Sequence, residues 1–398
     1  HGFRVHKTRG RRGIGHGAEA PVSQRKGADD RRSSANLEPG GEPRRGLADE
    51  GGEVDNRSAC GFKASVSGSW GGRPLRVLMT GGYGCIGSWA AKQLVESGHQ
   101  VWIYDLAEDT HRLDMILAAE HKAEVRFIQG DVSDPEAVLK AVVDCRATHL
   151  LHLAGLQTPT CRANPILGAK VNVIGTLAVF EAAAALPDQV ERVVYASSAA
   201  VHGPPEAGAT GPLADEIRLA PLTHYGAYKV CNELNARVYW LDKGVSSVGL
   251  RPWTVYGVGR DFGMTSEPTK AIKSVAAGRP YQISYGGYQD LQYVGDVAAT
   301  FVLALDRPFQ GADAFNLRGA VEPIEAFVET LVQEVPAAGP LVSHGDRQLP
   351  IAPSLDDARL QASLGPIPRT PLRAGIAETY RRFEALHREG RLDLSDLG

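Results

Sequence analysis

The chain has 398 residues, 43% of them hydrophobic and 22% charged, with a formal net charge of -3. This balance is ordinary for a globular protein with a substantial core; it gives no reason to expect nucleic acid as a partner, and no run of about eighteen uninterrupted apolar residues marks a membrane span. The five cysteines, Cys60, Cys85, Cys145, Cys161 and Cys231, are odd in number and form no close pair, which suits reduced thiols and a cytoplasmic location better than disulfides or structural zinc.

Residues 1–73 are rich in Gly, Arg, Ser and acids and have almost no apolar periodicity. Such a segment cannot bury enough surface to offset its ordering entropy, so a disordered or non-native extension is expected there. The interspersed Asp29, Asp30, Glu38 and Asp49 argue against an acid-poor targeting peptide.

From Leu75 the pattern changes. The apolar run Leu75 to Met79 leads through Thr80 into three glycines, Gly81, Gly84 and Gly87, followed by the helix-like SWAAKQLVESG. A strand, a tight glycine turn and a helix start form a cradle in which backbone approaches a pyrophosphate at a helix N-terminus. Gly81, Gly84, Cys85, Ile86 and Gly87 are therefore candidate dinucleotide contacts. The second apolar run, VWIYD, ends in Asp105. A carboxylate there hydrogen-bonds a ribose 2′-hydroxyl and repels a 2′-phosphate, which favours NAD over NADP.

Helix-like and strand-like stretches then alternate. A helix is expected over residues 109–122, a strand over 125–132, a helix over 134–144 and a strand over 149–155. A long helix over 164–186 and a strand over 192–198 complete the series. Strands alternating with helices of ten or more residues predict an α/β, Rossmann-type, doubly wound parallel sheet with its cleft at the C-terminal strand ends. This domain is expected to cover residues 74–250. From Arg251 the pattern loosens and Gly and Pro become frequent. Residues 251–390 read mainly as a smaller substrate-binding lobe, with some segments returning to the first domain.

Ser197 and Ser198 close the fifth strand, and Tyr225 and Lys229 open the helix that follows. Residues four apart share one helix face, so both can reach one cofactor. A free tyrosine is a poor base at neutral pH. A nearby ammonium and a positive nicotinamide would favour the phenolate. Tyr225 could then take a proton from a substrate hydroxyl while Ser198 stabilises the oxygen. The same spacing recurs at Tyr239 and Lys243, but against the helix stop Gly244, where a packing pair is expected. His152 and His202 are read as packing residues, and His224 and the Gly-rich insert 259–266 as candidate substrate contacts. The histidines lack ligand spacing, so no metal is expected.

Taken together these residues resemble the extended short-chain dehydrogenase/reductase family, especially its NAD-dependent sugar epimerase/dehydratase branch. The ordered set comprises residues 80–87, Asp105, Gly130-Asp131, residues 152–155, residues 172–176, residues 197–199, Tyr225 to Lys229, and residues 292–296. The resemblance implies NAD as cofactor, with Asp131 and Val132 near adenine, and Leu153, Ala154, Gly155 and Asn172 against the cofactor. It also implies Ser198, Tyr225 and Lys229 as catalytic residues, and a homodimer formed through the helices at residues 164–185 and around Tyr225.

Departures bear on the substrate. Ala199 and Ala200 stand where dehydratases of this branch carry an Asp-Glu pair. Gln289 stands where nucleotide-sugar members usually hold the diphosphate with Arg, although Arg260 or Arg347 could substitute, and Thr254 stands where they commonly have Asn. Ser198, Ala199, Trp253, Thr254, Arg260 and Gln289 are the candidate substrate contacts. The leading expectation is an NAD-dependent epimerase of a sugar, nucleotide-linked or free, with Tyr225 as acid/base. The alternatives are a dehydrogenase of a sugar, sugar acid or small hydroxy acid, and a non-catalytic NAD-binding regulator.

Overall fold

The computed structural model describes residues 73–204, 211–349 and 351–397; of the extension expected over residues 1–73, all but the last residue lie outside them. The strands in chain order are β1 (Arg76–Thr80), β2 (Gln100–Asp105), β3 (Val125–Gln129), β4 (His149–His152), β5 (Arg192–Ala196), β6 (Ser247–Arg251), β7 (Thr254–Tyr256), β8 (Tyr281–Ile283), β9 (Tyr288–Tyr293), β10 (Ala312–Asn316), β11 (Ala320–Pro323) and β12 (Val342–His344). Seven of them form one sheet in the order β10-β6-β5-β4-β1-β2-β3, with every pair parallel. The order reverses between β1 and β4, which opens a crevice beyond their C-terminal ends. A three-stranded sheet (β11-β9-β7) and a parallel pair (β12-β8) lie in the later part of the chain.

Strand alternation explains why the sheet is covered on both faces. Val77, Met79, Leu151, Val194, Val248 and Leu250 enter one apolar core, while Leu78, Leu150, Val193 and Tyr195 enter the other. On the first face the helix Cys85–Glu96 packs against Val294–Asp306. On the second, Pro135–Asp144, Gly175–Ala185 and His224–Lys243 pack together. β10 and the helix Val294–Asp306 thus bring late segments back to the first half of the chain.

Local chemistry sets the helix ends. Asp134 accepts hydrogen bonds from the backbone of Glu136 and Ala137, both at 3.1 Å, ahead of Pro135. Thr223 accepts from Gly226 N at 3.0 Å, and the same helix stops at Gly244, whose φ of 68° is left-handed. The single helix expected over 109–122 is instead two short ones, His111–Ile116 and Ala119–Lys122. Leu117 and Ala118 between them are extended. A short helix missed in the sequence, Thr158–Ala163, precedes the long one.

The helical run Pro165–Ala185 is long and apolar enough to cross a membrane by length and composition, yet half of that window is buried inside the molecule. Gly175, Ala178, Val179 and Phe180 face the protein interior, as in the core helix of a globular domain.

Candidate functional site

A cavity of about 580 Å³ opens at the C-terminal ends of β1, β4 and β5. Gly81, Gly84, Cys85, Ile86 and Gly87 line one end, and Leu153 and Gly155 form the adjoining wall. Ser198, Ala199, Tyr225, Lys229, Trp253 and Arg260 line the rest.

The glycine end fits a dinucleotide on its own geometry. Gly81 has φ +68°, and a Cβ there would stand 2.5 Å from Ala154 N. A Cβ on Gly87 would meet the carbonyl oxygens of Gly81 and Gly82 at 2.7 Å. Only glycine allows so close a turn. The helix that follows has no acid in its first turn and no side-chain cap, so its N-terminal N–H groups remain available to a pyrophosphate.

Asp105 stands at the tip of β2, where its carboxylate accepts from Leu106 N at 2.9 Å. Asp131 follows β3 and accepts from the backbone and hydroxyl of Ser133 at 2.9 and 2.7 Å, which lower its pKa. Both lie outside the enclosed cavity, toward the β2–β3 edge of the sheet.

Two expected cofactor side chains are placed elsewhere. Val132 is buried in the second core. Asn172 is fully buried and donates to the carbonyls of Leu156 and Gly168 at 3.2 and 3.0 Å. Its role in this geometry is to support the segment after β4, since a Cβ on Gly155 would lie 2.7 Å from Asn172 Oδ1.

Thr254 and Gln289 also depart from expectation. Both are fully buried, joined by a 3.0 Å hydrogen bond between Thr254 Oγ1 and Gln289 Oε1. Neither lines the cavity. Alternation along β7 is the reason: Trp253 and Val255 face the cavity while Thr254 between them turns away.

At the other end Lys229 donates to the Ala196 carbonyl at 2.6 Å, and its Nζ lies 5.6 Å from the Tyr225 ring centroid. Burial lowers its pKa to about 8. Burial also raises the Tyr225 pKa, against a hydrogen bond with Ser198 and the charge of Arg260. A positive charge that opposes this rise comes from Arg260.

The second Tyr-Lys pair is far from this chemistry. Tyr239 stacks on Phe180 at 5.1 Å and donates to Glu181 at 2.5 Å. His152 is buried between Thr80 Oγ1 (2.7 Å) and Thr176 Oγ1 (2.9 Å), with its pKa lowered to about 3 by burial. His202 is buried against Asn316 at 2.8 Å, and His224 is exposed and stacks on Tyr228. No group of three or more metal-ligating side chains occurs among the described residues.

The insert 259–266 reaches the cavity through Arg260, Met264 and Thr265. Arg112 holds it there. Its guanidinium donates to Gly259 O at 3.1 Å, to both Asp261 oxygens at 3.1 and 2.8 Å, and to Tyr83 O of the glycine turn at 3.1 Å. Sequence reasoning missed Gln157, Thr158 and Arg162, which line the cavity from the short helix. Thr158-Pro159 is a helix-start signal that would have revealed that helix.

The family model for the NAD dependent epimerase/dehydratase family matches residues 77–317. The chain belongs to this family. The family is NAD dependent. A UDP-glucose 4-epimerase of Mycolicibacterium smegmatis is 29% identical over 317 residues, 78% of this chain and 98% of the relative. The structure of Thermus thermophilus UDP-glucose 4-epimerase in complex with NAD is 28% identical, with TM-score 0.65, and the match covers 78% of this chain and 99% of that one. An L-threonine dehydrogenase from Clostridium difficile shares the fold at 19% identity, with TM-score 0.68 over 81% of this chain and 100% of that one.

Proposed function

We propose that this family member is an NAD-dependent sugar epimerase in which Tyr225 is the acid/base. The observation that carries the reading is the convergence of Ser198, Tyr225 and Lys229 on a cavity that begins at the glycine cradle. NAD, when bound, would supply the acceptor for the hydride of the sugar carbinol and the donor for its return. Gly81 to Gly87 would hold its pyrophosphate and Asp105 its ribose hydroxyls, which favours NAD over NADP. Tyr225 Oη takes the carbinol proton and later returns it, while the Ser198 hydroxyl holds the substrate oxygen. Lys229 adds positive charge beside the phenol. Retention of the hydride in the site lets the oxidised sugar turn and be reduced from its other face. The epimerase relatives extend the substrate reading to nucleotide-linked sugars.

Oxidation without return is the second reading. It is favoured by Gln289, which is buried where a diphosphate-gripping arginine was sought. One measurement separates the two. Protein purified and then denatured is expected to release stoichiometric NAD, and the native protein to isomerise sugars or nucleotide-sugars without free NADH. Steady NADH formation with easily washed-out NAD would establish the dehydrogenase instead.

We further propose a homodimer. Leu234, Val238 and Leu241 form an exposed stripe at 58%, 51% and 68% accessibility on the helix His224–Lys243. Ile166, Leu167 and Ile174 are exposed on the run Pro165–Ala185. The two helices pack together within the subunit, so these residues offer a second copy one apolar surface. Sedimentation at micromolar concentration is expected to give a dimer for the parent and a monomer for Val238→Asp. A monomeric parent refutes the proposal.

A further inference from the structure

Among the described residues the cavity wall carries three cations, Arg162, Lys229 and Arg260, and no Asp or Glu. Lys229 is engaged by Ala196 O at 2.6 Å. Arg260 differs in having no carboxylate partner among the described residues. Its Nη2 makes one long contact, 3.3 Å, to Thr265 Oγ1, and its Nε is buried with no partner. The residue itself is half-buried and faces the cavity, so its guanidinium is open to a ligand there, and a carboxylate is its natural planar partner.

The surrounding chain fixes this arginine in place. Arg112 binds the residues on either side of it, Gly259 and Asp261. Gly263 has φ +108°, and a Cβ there would stand 2.1 Å from Gln157 Oε1 and 3.2 Å from Arg260 Nη2. The insert is therefore folded tightly against the start of the helix Thr158–Ala163, which supplies Arg162 to the same wall. Past these cations the wall is apolar, formed by Leu222, Met264, Leu349 and Ile351. Arg260 lines the same cavity as Tyr225, so an anion bound to it shares that cavity with the reacting carbinol.

We propose that Arg260, with Arg162 on the same wall, recognises a carboxylate on the substrate, so that the substrate is a sugar acid. This rests on the reading of Tyr225 as acid/base for a sugar carbinol and specifies what that sugar carries. The cations stand within the catalytic cavity, whereas a diphosphate grip at Gln289 is ruled out by its burial.

The test uses the NAD-loaded protein and a panel of paired probes: hexuronates beside hexoses, and UDP-glucuronate beside UDP-glucose. Each acid is expected to give a higher kcat/KM than its neutral partner in at least one pair, and the better pair shows whether the acid is free or nucleotide-linked. Arg260→Gln is expected to raise KM for the preferred acid roughly 10- to 100-fold, the loss of one charge-assisted contact. NAD affinity should stay near the parent value, and Arg260→Lys should recover part of the loss. A panel in which no acid outperforms its neutral partner overturns the proposal. So does an Arg260→Gln protein that keeps its acid preference or loses NAD affinity instead. Tyr225→Phe keeps the two readings apart: if it stays active the acid/base reading fails, whereas neutral sugars turned over in a Tyr225-dependent way remove only the carboxylate.

Discussion

Tyr225→Phe is expected to lower turnover by about 10³-fold or more, the range for losing a positioned general acid/base. NAD binding should remain near the parent level, since the glycine cradle and Asp105 are on other elements. The parent enzyme should also show a pH dependence of a definite sign. Burial raises the Tyr225 pKa in the protein as it stands, and the base form is the phenolate. The rate kcat/KM should therefore climb with pH, by about tenfold per unit below the effective pKa. The positive nicotinamide and Arg260 shift that limb downward without changing its direction. A Tyr225→Phe enzyme with parental turnover, measured as sugar isomerised or NADH formed, would remove Tyr225 from the chemistry.

This tyrosine was legible in the sequence because order along the chain constrained it. A glycine turn, an acid after the next strand, a Ser-Ser strand end and a Tyr-x-x-x-Lys helix start fall in one sequence, and the parallel sheet brings them to one edge. The same logic discounted Tyr239, which the fold stacks on Phe180. Substrate contacts were harder to read because they come from short irregular segments. Thr254 and Trp253 are adjacent in sequence, yet one is buried and the other lines the cavity. A one-residue shift in strand register exchanges them, and no local signal fixes the register of a three-residue strand. Gln157 and Arg162 were missed because a six-residue helix carries too little periodicity to announce itself. Lys229 was placed correctly by helical spacing, but the direction of its ammonium depends on the Ala196 carbonyl, a contact 33 residues away.

Glu233→Ala is expected to cost about 3–5 kcal/mol of stability, the range for stranding one partner of a buried ion pair. The reason lies directly behind the catalytic strand end. Arg251 donates to both Glu233 oxygens at 2.8 Å and to Asp215 O at 3.1 Å, and both Arg251 and Glu233 are nearly inaccessible. Ser197 donates its hydroxyl to the same Glu233 carboxylate. Asp215 in turn accepts from Asn316 N at 2.6 Å. One carboxylate therefore ties β5, β6 and the helix bearing Tyr225, and β10 joins through Asn316. Removing it leaves the buried Arg251 charge with only the more distant Asp215 carboxylate, at 3.6 Å, and frees the Ser197 hydroxyl beside Ser198. The melting temperature should fall by roughly 5–15 °C for a domain of this size. Activity per folded molecule should fall as well, because Ser198 follows directly from the loosened strand end. Replacing the pair together, as Glu233→Leu with Arg251→Met, should recover part of the stability, since it removes two buried charges and leaves Asp215 paired with Arg359 at 3.6 Å. It should not recover the activity if the network's purpose is to hold Ser198. Thermal unfolding followed by circular dichroism, with turnover measured below the transition, separates the two effects. A Glu233→Ala protein that melts with the parent would show that solvent, not Glu233, compensates Arg251.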